Sequence, residues 1–149
     1  MTTEDVRTLT REHFDYVVPA TTRWSDNDMY GHLNNAVYYE LFDSAINGWL
    51  ITGGVAEAME GPELGVVAES GCRFFAELAY PGGLDVGVRV ERLRRSSITY
   101  ALGLFASDRP EVAALGHWVH VYIDRLSRSP VPIPTAVRDL LERAEKARL

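Results

Sequence analysis

A carboxylate, Asp28, and an imidazole, His32, stand just upstream of Asn34 and Asn35, where an apolar helical pattern begins. A helix N-terminus leaves amide N–H groups without intrahelical partners and carries a partial positive charge, so it can hold a developing oxyanion. A carboxylate beside such amides can attack a carbonyl, or activate a water, while the amides stabilise the tetrahedral oxygen. That combination suits acyl transfer to water. Asp26 is a second carboxylate in the same turn. It is read first as a structural partner of Arg23; the other reading is that two close carboxylates raise one pKa and leave an acid beside a base. His32 can orient a water or carry a proton, and can equally pack as a neutral ring at the helix start.

These groups need a helix and a turn to position them. Tyr38, Leu41, Phe42, Ala45, Ile46 and Trp49 recur at i, i+3, i+4, i+7, i+8 and i+11, one stripe of a 3.6-residue helix. Val37, Tyr39 and Leu50 add apolar surface elsewhere on the circumference, which predicts a largely buried helix. Asn34 suits the N-cap, Gly53-Gly54 is expected to stop the helix, and Gly31 allows a tight turn ahead of it. Tyr38 is read as core.

The rest of the chain is mostly β. A first strand is predicted over 13–24, where Pro19 removes one ladder donor and points to an edge or a bulge. After a glycine-rich loop over 53–65, strands are predicted over 66–80, 84–93, 97–107 and 112–125, joined by short turns. Such succession gives an antiparallel meander rather than a βαβ sheet. A proline-stiffened link, Ser129 to Pro134, precedes a short amphipathic helix carrying Val137, Leu140, Leu141 and Ala144. Residues 1–12 are polar and expected to fray.

The 149 residues suit one domain, and 46% hydrophobic with 24% charged residues is ordinary globular composition. A formal net charge of -6 argues against general nucleic-acid binding. No signal peptide or membrane-spanning run is visible, so the expected compartment is the cytoplasm. The single cysteine, Cys72, excludes an intrachain disulfide and has no base beside it in sequence. His117 and His120 are spaced to point to opposite faces of a strand, and no third ligand is evident, so no metal site is expected.

The run from Arg23 to Tyr38, Arg-Trp-Ser-Asp-Asn-Asp-Met-Tyr-Gly-His-Leu-Asn-Asn-Ala-Val-Tyr, resembles the signature of hotdog-fold acyl-CoA thioesterases of the 4-hydroxybenzoyl-CoA thioesterase type. The resemblance implies an α+β hotdog fold, in which a curved antiparallel β-sheet wraps a long central helix. It further implies one hotdog domain over 1–149, assembled as a homodimer or homotetramer with active sites between subunits. Matched by position, Asp28 is the catalytic carboxylate, nucleophile in some members and general base in others. Asn35 supplies the backbone N–H that polarises the thioester carbonyl, and His32 matches a histidine present in many members. The stretch is also similar to acyl-ACP thioesterases, but that branch has an asparagine where this chain has Tyr30, so the acyl-CoA reading fits better.

Coenzyme A enters that reading as part of the substrate, with no metal or redox cofactor. Its phosphates call for guanidinium groups, which bind such oxyanions in bidentate geometry. Arg94 and Arg95, with Ser96 beside them and Arg92 near, form the one notable basic cluster and are the candidate CoA contacts; the alternative is a solvated strand end. Glu69 and Ser70 are candidates to face a partner's site. The rival functions are a noncatalytic acyl-CoA-binding hotdog domain and a hotdog dehydratase or hydratase.

Overall fold

The structure, a computed structural model, describes residues 6–148. Helix α1 (Asn35–Leu50) starts where Asn34 caps it, the side-chain oxygen accepting from the Ala36 amide at 2.9 Å. Tyr38, Phe42, Ala45, Ile46, Trp49 and Leu50 are its buried residues, so the stripe lies as its spacing predicts, with Leu41 at its margin. Gly53-Gly54 does not stop the helix. The chain passes through a wide turn (Ile51–Val55), bends where Gly54 takes φ +88°, and resumes as α2 (Ala56–Met59). Gly53 itself lies against Leu140, where a Cβ would come within 2.6 Å of Cδ2.

Strands β1 (Tyr16–Ala20), β2 (Glu63–Phe74), β3 (Leu84–Leu93), β4 (Ser97–Ala106) and β5 (Ala114–Asp124) form one antiparallel sheet in the order β1-β3-β4-β5-β2. Only β3, β4 and β5 are a simple meander. The helix between β1 and β2 carries the chain across the sheet, so these two strands end up on opposite edges. Pro19 sits on the β1 edge, where its missing donor costs no ladder bond. The first strand is shorter than expected because Trp24–Asp26 winds into a 3-10 turn. The second begins at Glu63 rather than Val66 and ends at Phe74 rather than Tyr80. Its partner β5 begins at Ala114, and the next two amides, Phe75 and Ala76, both turn onto the Ala113 carbonyl.

Helix α1 lies on the face of the sheet that carries Gly116, Trp118, His120 and Tyr122. A Cβ on Gly116 would lie 2.6 Å from Phe42 Cε2, so helix and sheet touch there through a missing side chain. Tyr16 stacks on Trp49, and Tyr39 and Phe42 both meet the Trp118 ring. The opposite face has its own cluster, Val6, Leu9, Phe14, Phe105, Val112 and Leu115. Of the stretch expected to fray, residues 1–5 lie outside the described residues, while Val6 and Leu9 are buried on this face. Helix α3 (Thr135–Arg148) buries Val137 and Leu141 and is held at both ends by arginines. Arg138 donates to the Arg94 carbonyl, and Arg148 reaches Asp15 at 2.6 Å and the Val90 carbonyl at 2.8 Å.

Candidate active site

The loop from Arg23 to Asn34 is built by its own carboxylates. Asp26 Oδ2 accepts from the Arg23 amide at 2.8 Å, Oδ1 accepts from the Arg23 guanidinium at 2.9 Å, and the Asp26 carbonyl accepts from the Asn34 amide at 2.8 Å. Hydrogen bonding to Arg23 holds the Asp26 carboxyl below its usual range. Both oxygens are engaged, so the structural reading of Asp26 is the one the geometry supports.

Asp28 is held differently. Its Oδ1 accepts from the Tyr30 amide at 2.9 Å and the His32 amide at 3.3 Å, while its own amide donates to the His32 carbonyl at 2.7 Å. Gly31, at φ +83°, makes this reversal possible without a side-chain penalty. Oδ2 has no partner among the described residues, leaving one carboxylate oxygen available. Backbone and side-chain contacts fix the loop to the β2–β3 connection. Leu33 donates to the Leu78 carbonyl at 2.8 Å, the Asn27 side chain accepts from the Tyr80 amide at 3.0 Å, and His32 Nε2 lies 3.0 Å from Glu77 Oε2.

A cleft of about 290 Å³ results, lined by Asp28, His32, Asn35, Tyr38, Phe74 and Glu77 among others. The structure thus brings Asp28, His32 and Asn35 to one cavity. Asn35 is the first residue of α1, and its amide has no hydrogen-bond partner among the described residues, as expected of that position. Tyr38 is buried as core, yet it also walls the cleft, edge-on to Phe74 at 4.9 Å; burial pushes its phenol up to about 12. Glu77 and Phe74 were not identifiable from the sequence as cleft residues. Their approach depends on where β2 leaves the sheet, and no local motif marks it.

Arg94, Arg95 and Ser96 are not brought to this cleft within one subunit. They form the β3–β4 turn, with Arg94 donating to the Ser97 carbonyl at 2.9 Å. Ser97 pairs with Val121, whereas Leu104 pairs with Ala114, which pairs in turn with Phe74 at the cleft. Seven residues at the strand rise of about 3.3 Å put the turn roughly 23 Å away along the sheet. Both arginines are exposed. Glu69 and Ser70 are exposed on β2, with Glu69 Oε1 2.8 Å from His117 Nε2. His117 is exposed and His120 buried, on opposite faces as their spacing requires. Burial raises the Cys72 thiol to about 11. Among the described residues, no group of three or more His, Cys, Asp and Glu gathers as a metal-ligand set.

A curved five-stranded antiparallel sheet around one long helix, with a carboxylate loop at that helix's N-terminus, defines a hotdog-fold protein. The model of the thioesterase-like superfamily matches residues 22–141, and the chain belongs to that family. Among solved structures it is similar to the PA5185 protein of Pseudomonas aeruginosa strain PAO1, at 43% identity over 91% of this chain and 94% of that one, with a TM-score of 0.85. A thioesterase from Thermus thermophilus, solved with coenzyme A and Zn, is 29% identical over 91% of this chain and 97% of that one, with a TM-score of 0.77. The 1,4-dihydroxy-2-naphthoyl-CoA thioesterase Slr0204 from Synechocystis shares the fold at 15% identity, covering 85% of this chain and 94% of that one, with a TM-score of 0.79. No curated protein matches the chain in sequence. Family membership and the thioesterases among its structural neighbours support thioester hydrolysis.

Proposed function

We propose that the protein hydrolyses acyl-CoA thioesters to free acid and CoA, as an enzyme of the 4-hydroxybenzoyl-CoA thioesterase type. The observation that carries this reading is the shared cleft, in which the Asp28 carboxylate and the unpartnered Asn35 amide both lie. With Asp28 as nucleophile, Oδ2 attacks the carbonyl carbon, the C–S bond breaks, and water then hydrolyses the resulting anhydride. With Asp28 as general base, it takes a proton from water as the water oxygen attacks. In either route the Asn35 amide holds the oxyanion and His32 supplies a proton to the leaving thiolate or orients the water.

CoA enters as part of the substrate, and the scheme needs no resident metal or redox cofactor. Arg94, Arg95 and Ser96 serve its phosphates from a second copy of the chain. β2 is a twelve-residue strand with an open edge. Antiparallel pairing of two such edges about a twofold axis reverses the second sheet, so its β3–β4 turn comes to the end where this cleft opens. The working assembly is therefore a homodimer, or a homotetramer of paired dimers. A net charge of -6 favours neither nucleic acid nor an anionic membrane surface. Among the described residues no helix is long and apolar enough to cross a membrane. A cytoplasmic location fits a CoA substrate.

The test is release of free thiol from short, long and aromatic acyl-CoAs. Turnover on one class supports the enzyme. Tight acyl-CoA binding with no turnover across the panel replaces it with the binding-domain reading.

A further inference from the structure

A second cavity lies at the other end of α1. It measures about 110 Å³ and is lined by Asn47 and Leu50 of α1, Ala58 and Met59 of α2, Glu63 to Gly65 of β2, His120 and Tyr122 of β5, and Val137 of α3. Most of this wall is apolar, but its floor is not. His120 is 3% exposed, and its Nδ1 is buried with no hydrogen-bond partner. The Tyr122 hydroxyl lies beside Gly65, where a Cβ would come within 3.2 Å of it. Buried polar atoms are nearly always satisfied, so the unpartnered His120 ring calls for a hydrogen-bonding group, and the Tyr122 hydroxyl on the same cavity wall can serve that group too.

This cavity connects in register to the cleft. Gly65, Val67, Ser70, Cys72 and Phe74 pair with Tyr122, His120, Trp118, Gly116 and Ala114, the β5 residues on the face that α1 covers. Cross-strand partners share a face, so these five β2 residues form one strip running from the cleft to the cavity. The strip is open: Phe74 is 46% and Val67 48% exposed. Its other wall is α1, where Tyr39 meets Trp118, and Asn47 donates to Asp43 at 3.2 Å. From Tyr38 to Asn47 is nine helical residues, roughly 14 Å at about 1.5 Å per residue, the reach of a medium-length acyl chain.

We propose that the acyl chain of the substrate lies along this strip and ends in the cavity, and that His120 and Tyr122 select an uncharged hydrogen-bonding end group such as a hydroxyl. This inference rests on the thioesterase reading and names the substrate class for it. An uncharged end is favoured because the wall is mostly apolar, where a full charge is costly, and because Glu63 and Asp43 are the charged groups nearest it. Burial also keeps His120 neutral by lowering its pKa, so its ring offers both a donor and an acceptor.

The experiment compares kcat/KM for dodecanoyl-CoA, ω-hydroxydodecanoyl-CoA and acetyl-CoA in the native protein, His120→Phe and Tyr122→Phe. Tyr122→Phe removes one oxygen and keeps the ring, so it guards against a failure of His120→Phe to fold. The native protein prefers the hydroxylated chain by about tenfold or more, as buried groups matched to a hydroxyl reject a chain lacking it. Each variant reduces that preference several-fold and leaves acetyl-CoA turnover unchanged, because acetyl does not reach the cavity. Equal rates on the two long chains in the native protein, or a preference that survives both substitutions, overturns the assignment. If no thioester turns over, the thioesterase reading fails separately. The same comparison is then made by equilibrium binding of the two S-alkyl-CoA thioethers, where equal affinities overturn the inference.

Discussion

His32 Nε2 lies 3.0 Å from Glu77 Oε2, joining the loop that leads into α1 to the segment that leaves β2. Both residues line the cleft. If His32 protonates the departing thiolate, His32→Asn lowers kcat by about 10²-fold, within the range for a positioned acid or base. Glu77→Gln gives a smaller drop with KM little changed, since it keeps the shape and loses only the charge. Thioesters of acidic aromatic thiols, whose leaving groups need no proton, distinguish this from a packing role. With them the His32→Asn deficit shrinks; an equal deficit for both leaving groups places His32 elsewhere in the mechanism.

Asp28→Asn removes turnover and spares the loop. An asparagine oxygen can still accept from the Tyr30 and His32 amides, as Oδ1 does now, while the free carboxylate oxygen is replaced. The expected loss in kcat is several orders of magnitude, with an unchanged thermal midpoint. Single turnover in oxygen-18 water then tests the nucleophilic route. Label in the Asp28 carboxylate establishes an anhydride opened by water at the Asp28 carbonyl, whereas label confined to the released acid is common to general-base catalysis and to water attack on the acyl carbon of the anhydride.

Asp26 gives the loop an acid limit. Its carboxyl titrates below the unfolded value of 3.8 because the Arg23 side chain and amide both hydrogen-bond to it. A depressed folded pKa means that the unfolded chain binds more protons in this window. The contribution is therefore complete above about 3.8 and is lost as pH falls through the lower folded value. Asp26→Asn lowers the thermal midpoint at neutral pH and flattens its fall below pH 4, which calorimetry across the acid range measures.

What could be read in the sequence was local. Asn34 caps α1, Pro19 lies on an edge strand and the Tyr38 to Trp49 stripe faces the core, because each follows from spacing within one element. The loop motif named Asp28, His32 and Asn35, and the fold brings them to one cleft. Long-range register was not legible. It decides that Glu77 meets His32, that β2 ends at Phe74, and that Arg94 to Ser96 turn at the far end of the sheet. Residues 6–12 were misjudged for a related reason. Val6 and Leu9 look isolated among polar neighbours, and only the outer-face ring of Phe105 and the Leu115 side chain give them something to cover. The bend at Gly54 likewise depends on contacts with α3.

The Asp15 side chain is only 1% exposed, with Arg148 Nε at 2.6 Å and the Val90 amide donating to it at 2.9 Å. Burial raises its carboxyl above the ordinary value, and Val90, Arg148 and Arg89 partly offset that rise. Here the sign is opposite to that of Asp26: the folded state binds the extra proton, so stability declines as pH rises from the unfolded value of 3.8 through the folded one. Arg148→Met leaves a buried carboxylate without its closest cation, a change that costs about 3–5 kcal/mol. The deficit is largest at neutral pH and shrinks as pH falls through the raised folded value, where Asp15 takes up its proton. Asp15→Asn combined with Arg148→Met recovers much of the loss, because no buried charge remains. Urea denaturation of the three proteins at two pH values checks this. If the double variant is as unstable as Arg148→Met alone, the arginine acts through packing of the end of α3 rather than through the carboxylate.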